Sequence, residues 1–194
     1  MQDSVQSSAK SSATARPRWN HAFKRLWSIH WWMAAGFLAI YFFGIIMVRL
    51  PGGLDIRGSM YNIHKSLGVV ALGLLLARVV TLLQVYSGKY LKRRPKATAP
   101  WIRNVVLHSL LYGSMVVVPV SGIWLSNSAG HAIPLFFVDL PDWFEQNSAV
   151  VSAARNLHFW MAYTMLSLTV AHILVQRKYV QKMWARYRKK FSAS

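Results

Sequence analysis

Four of the chain's seven histidines, His30, His64, His158 and His172, stand in long stretches almost free of charge. His158 and His172 are fourteen residues apart. On a helix that spacing is roughly 21 Å along the axis and only about 40° short of whole turns, so both rings project from one face. An imidazole in such a place can bind a metal, carry a proton or satisfy a neighbouring helix. The chain has no cysteine, which excludes disulfides, thiolate zinc sites and iron–sulfur clusters held by this chain. None of the apolar stretches holds an Asp or Glu, so a zinc site of mixed His and carboxylate donors is a weak competitor.

The elements that must position these rings are membrane spans. Of the 194 residues, 54% are hydrophobic and 14% charged, against about 25% charged in a typical soluble domain. Crossing the hydrocarbon core takes about 20 residues, and four segments are long enough: 26–48, 58–86, 104–127 and 156–176. Backbone polar groups in lipid must be satisfied within the segment, so the segments are expected to be helices. Trp27, Trp31, Trp32, Tyr61, Tyr86, Trp101 and Trp124 cluster near their ends, as interfacial belts do. The expected fold is all-α, an integral membrane four-helix bundle. A Ser/Ala/Gln-rich tail over 1–23 is expected to be disordered, followed by the helical domain over 24–180 and a basic tail over 181–194. The first apolar run is too long for a cleaved signal and lacks a cleavage site.

Charge gives the orientation. Lys10, Arg16, Arg18, Lys24 and Arg25 precede the first span, Lys89, Lys92, Arg93, Arg94, Lys96 and Arg103 separate the second and third, and seven Lys or Arg follow the fourth. The opposite side has Arg49, Arg57 and Arg155 with Asp55, Asp139, Asp142 and Glu145. Both termini are therefore expected in the cytoplasm. The net charge of +18 belongs to these blocks, which read as topology signals and contacts to anionic lipid rather than to nucleic acid.

Depth now pairs the histidines. His64 and His158 lie near the outer ends of the second and fourth spans; His30 and His172 lie near the cytoplasmic ends of the first and fourth. Two pairs of imidazoles from facing helices, one pair per leaflet, are what two haem b groups require. Each ring's second nitrogen then needs an acceptor, whose identity no residue pattern gives. Any one of these histidines alone would be read as an interhelical hydrogen bond; the match of four in depth and face favours haem.

The residues Ser28-Ile29-His30-Trp31, Ile63-His64, and His158 and His172 at their spacing resemble the bacterial cytochrome b561 family. His108, Tyr112, Pro119 and Gly122 form an H-x3-Y-x6-P-x2-G pattern similar to that family's third span, and Arg78, fourteen residues after His64, falls where the family has an arginine. The resemblance runs from Lys24 to Gln176. It implies axial haem ligation by His30, His64, His158 and His172, and quinone as one redox partner. Some members resemble superoxide:quinone oxidoreductases.

Other residues carry two readings each. His108 could contact a haem propionate or quinone, or make a structural hydrogen bond. Arg78 could pair a propionate or snorkel to the interface. Lys65, Arg57 and Arg49 could draw an anion such as superoxide, although the acids on the same face favour plain solvated charges. Pro119 is expected to kink the third helix and Gly122 to allow close packing. His21 and His131 read as tail and loop residues. The loop from Ser128 to Arg155 is expected to hold a short interfacial helix through its apolar residues 133–137, 143 and 144. The function expected is a dihaem b oxidoreductase passing electrons between an outer donor and membrane quinone. The alternatives are a membrane anchor relaying electrons for a larger dehydrogenase or hydrogenase, and a haem-free structural protein.

Overall fold

A computed structural model describes residues 18–89 and 97–191. It contains α1 (Arg18–Arg49), α2 (Asp55–Lys89), α3 (Ala99–Ser128) and α4 (Val151–Phe191), with a two-stranded hairpin, β1 (Ile133–Leu135) and β2 (Val138–Leu140), and one 3-10 turn before α4. All four helices are long and apolar enough to cross a membrane. They are apolar all round rather than along one stripe, as expected of helices whose outer faces meet lipid. Leu38, Leu76, Leu83, Trp160 and Leu174 are each at least 60% exposed, a surface that suits acyl chains and would aggregate in water.

The helices pair as neighbours in sequence. α1 packs along α2 and α3 along α4, while α2 touches α3 over a shorter length. Among the described residues neither α1 nor α2 packs extensively on α4. The four histidines lie in that gap, which is bridged by a hydrogen bond from the Tyr41 hydroxyl of α1 to the Ala162 carbonyl of α4, 2.7 Å.

Three expectations need adjustment. α1 begins at Arg18, so residues 18–23, read as the end of a disordered tail, are helical; residues 1–17 lie outside the described residues. α4 continues to Phe191, well past its apolar stretch, because its cationic C-terminal turns are good helix formers. The loop forms a β-hairpin instead of an interfacial helix. Pro141 would remove a hydrogen bond and clash within a helix spanning the apolar run, whereas Ile133 and Val138 suit extended backbone, and Phe136 and Phe137 make the turn between the strands. In the hairpin Ile133 pairs with Leu140, Pro134 with Asp139 and Leu135 with Val138.

The hairpin is pinned to the helices by polar contacts. The buried Ser66 hydroxyl of α2 donates to the Pro134 carbonyl at 2.8 Å and accepts from the Phe136 N–H at 3.0 Å. Its neighbour Lys65 donates from Nζ to the Ala132 carbonyl at 3.0 Å. Those bonds hold Phe136 at φ +57°, a conformation uncommon for a bulky residue. On α3, the buried Asn127 amide donates to Asp142 at 2.7 Å and accepts from the Trp143 N–H at 3.0 Å. The molecule thus has two ends: a β-hairpin end, and a termini end where α1 starts and α4 stops.

Candidate cofactor-binding site

At the β-hairpin end, His64 of α2 faces His158 of α4 with ring centres 6.3 Å apart and planes crossed at 86°. Each ring is fixed through Nδ1. His64 Nδ1 lies 3.0 Å from the Ile40 carbonyl of α1, and His158 Nδ1 lies 2.9 Å from the Val118 carbonyl of α3. A carbonyl only accepts, so both Nδ1 atoms carry the hydrogen and both Nε2 atoms keep a lone pair. Ser121 sits 3.3 Å from His158 Nδ1 while its own hydroxyl donates to Val118 at 2.8 Å.

The same local device brings each ring to its carbonyl. A helical side chain lies over the turn before it, so the residue four places on covers a given carbonyl. Four residues after Ile40 is Gly44, and four after Val118 is Gly122. A Cβ on Gly44 would stand 3.1 Å from His64 Cε1, and one on Gly122 would stand 3.0 Å from His158 Cε1. Glycine at these two positions leaves the room the imidazoles occupy.

At the termini end, His30 of α1 faces His172 of α4 with ring centres 6.1 Å apart and planes at 73°. Trp27 and Trp31 flank His30 at 6.0 and 5.8 Å. His108 of α3 joins this cluster, edge-on to His172 at 4.9 Å, and its Nδ1 donates to the Asn104 carbonyl one turn back at 2.6 Å. Arg78 of α2 is held inward: Nε donates to the Tyr112 hydroxyl at 2.8 Å and Nη1 to the Leu26 carbonyl at 3.3 Å. The His172 Nδ1 atom is buried and has no hydrogen-bond partner.

An iron bound by two imidazoles on opposite sides holds their ring centres about 6.3 Å apart, from metal–nitrogen bonds of about 2 Å and about 1.2 Å from nitrogen to ring centre. The separations of 6.3 and 6.1 Å fit that requirement, and the 4.9 Å between His108 and His172 falls short of it. Among the described residues no three His, Asp or Glu side chains gather into a metal-binding set. Two-nitrogen sites of this kind suit a metal whose other ligands come from a macrocycle.

A model of the family described as prokaryotic cytochrome b561 matches residues 22–179. The chain belongs to that family. It is also similar to cytochrome b561 homolog 2 of Escherichia coli strain K12, 25% identical over 147 residues that cover 75% of this chain and 77% of the relative. Membership in the cytochrome b561 family implies a multi-pass membrane protein that uses haem b in electron transfer. In this b561-family chain, the residues that sequence reasoning missed are Ile40, Gly44, Val118 and Ser121, with Gly122 noticed only as a packing residue. Two of them act through backbone carbonyls. The one available signal was a glycine inside each apolar helix, and it gains meaning only beside a histidine of another helix.

Proposed function

We propose that the chain holds two haem b groups, one between His64 and His158 and one between His30 and His172, and moves electrons between them. The observation that carries this reading is the pair of imidazole separations, 6.3 and 6.1 Å, in a gap that the helices leave unpacked. The haems supply one-electron iron chemistry; the protein supplies ligands, orientation and a water-poor setting. His64 and His158 are presented with Nε2 free because Ile40 and Val118 take the hydrogen on Nδ1. Arg78, fixed by Tyr112 and Leu26, offers a cation to a propionate, and His108 lies within reach of the same group or of quinone.

The termini lie in the cytoplasm on this reading, as the basic blocks require. The electron donor at the β-hairpin end is superoxide and the acceptor is membrane quinone. Two superoxide anions each lose one electron to become dioxygen, and one quinone takes those two electrons and two protons to become quinol. Half-buried Lys65, next to His64 in sequence, supports an anion approaching from that end.

A pyridine haemochrome assay and a reduced-minus-oxidised spectrum of the purified protein test the haem reading. Two b-type haems per chain are expected, falling to one in His158→Ala and one in His172→Ala. A colourless preparation after expression with ample haem, or two haems kept in both variants, overturns it. Superoxide-dependent quinone reduction by the loaded protein tests the reaction, and its absence would leave the haems with another donor.

A further inference from the structure

The two histidine pairs differ in a way that sets a direction. At the β-hairpin end both imidazoles donate from Nδ1 to backbone carbonyls, 3.0 Å for His64 and 2.9 Å for His158. Such a hydrogen bond makes the ring a stronger electron donor to a metal and favours its oxidised state. At the termini end the shared ligand helix offers no equivalent, because His172 Nδ1 is buried without a partner. Placing both on α4 removes helix type as an explanation.

Fixed charge points the same way. Arg78 is clamped at the termini end by Tyr112 and Leu26, and a nearby cation favours the reduced, less positive state of a centre. The acids among the described residues, Asp55, Asp139, Asp142 and Glu145, all lie at the β-hairpin end. That end also has four cations, Arg49, Arg57, Lys65 and Arg155, which match the four acids in number, so its described charges cancel. The termini end has a clamped guanidinium with no described carboxylate to offset it.

We infer that the chain builds a downhill step for one electron from the His64/His158 centre to the His30/His172 centre, by hydrogen-bonding the first pair's Nδ1 atoms and placing Arg78 beside the second. The step rests on the dihaem reading above. One iron is oxidised as the other is reduced; no bond forms and no proton moves in it. Gly44 and Gly122 are positioning residues for the low-potential centre, and Arg78 is one for the high-potential centre.

Potentiometric reduction of the purified dihaem protein, followed by visible absorbance, tests this. Two resolved steps are expected, with His172→Ala keeping the lower and His158→Ala keeping the higher. Arg78→Gln should lower only the upper step and Arg78→Lys restore it, while Gly122→Ala should raise only the lower step. Equal potentials, the reverse order, or an Arg78→Gln shift confined to the lower step overturns the inference. A haem count that the two histidine variants leave unchanged is a failure of the dihaem reading instead, and it shows before any potential is measured. Should a histidine variant fail to fold, the Arg78 and Gly122 shifts alone decide.

Discussion

Gly44 and Gly122 do work at the residue scale that a larger residue could not do. Replacing either by alanine puts a methyl group 3.0–3.1 Å from an imidazole carbon, so the ring must shift by a few tenths of an ångström away from its carbonyl. Alanine is the better helix former by about 1 kcal/mol, so any loss must come from the ring. Disturbing a ligand's hydrogen-bond partner typically costs about 10–100-fold in metal affinity. Gly44→Ala and Gly122→Ala should therefore release one of the two proposed haems to excess apomyoglobin about 10–100 times faster. Gly36→Ala, in α1 with nothing within 4 Å of the added carbon, should match the parent protein. Release at the parental rate in all three would remove the positioning role. The histidines themselves were legible because helix periodicity converts residue number into depth and face. Their acceptors were not, because the carbonyls of Ile40 and Val118 belong to the backbone, and no side-chain identity marks a carbonyl that another helix will use.

Among the elements, the β-hairpin depends on one hydroxyl. Ser66 Oγ is both donor to Pro134 and acceptor from Phe136, and Ser66 is 2% exposed. Ser66→Ala removes both hydrogen bonds, which are part-buried, at a cost of about 1 kcal/mol. Hydrogen exchange read by mass spectrometry should speed up across 133–140 while α1 to α4 keep their protection; unchanged exchange in the hairpin would show that Lys65 and Asn127 suffice. The four helices were readable from length and charge alone. The hairpin was misread because a short apolar run has no decisive period. What selected extended backbone was Pro141 together with a buried serine sixty-eight positions before Pro134, a partner that only the fold supplies.

For the whole molecule, the gap between the α1/α2 pair and α4 is the defining property. Lipid is as apolar as the helix surfaces, so burial gives little force to close such a gap, and an interhelical hydrogen bond like Tyr41 to Ala162 contributes only about 0.6 kcal/mol. Cohesion between the halves therefore rests on α2 against α3, on the hairpin and loop held by Ser66 of α2 and Asn127 of α3, and on the groups proposed to sit between the imidazoles. Orientation is a property of the same scale and can be measured directly, because the chain has no cysteine. A single cysteine at Glu145, exposed at the β-hairpin end, should react with an impermeant maleimide on intact cells. One at Ala97, exposed between α2 and α3, should react only after permeabilisation. The opposite labelling pattern would invert the proposed topology.

Because α4 contributes a histidine to each pair, it works as a ruler with two fixed marks. Inserting a single residue between His158 and His172 would turn one mark by about 100° and slide it about 1.5 Å, parting it from His64 or His30. Inserting seven would nearly restore the angle, yet would displace the mark by roughly 10 Å. The two pairs therefore fix the fourteen-residue spacing between those marks, whatever side chains fill it.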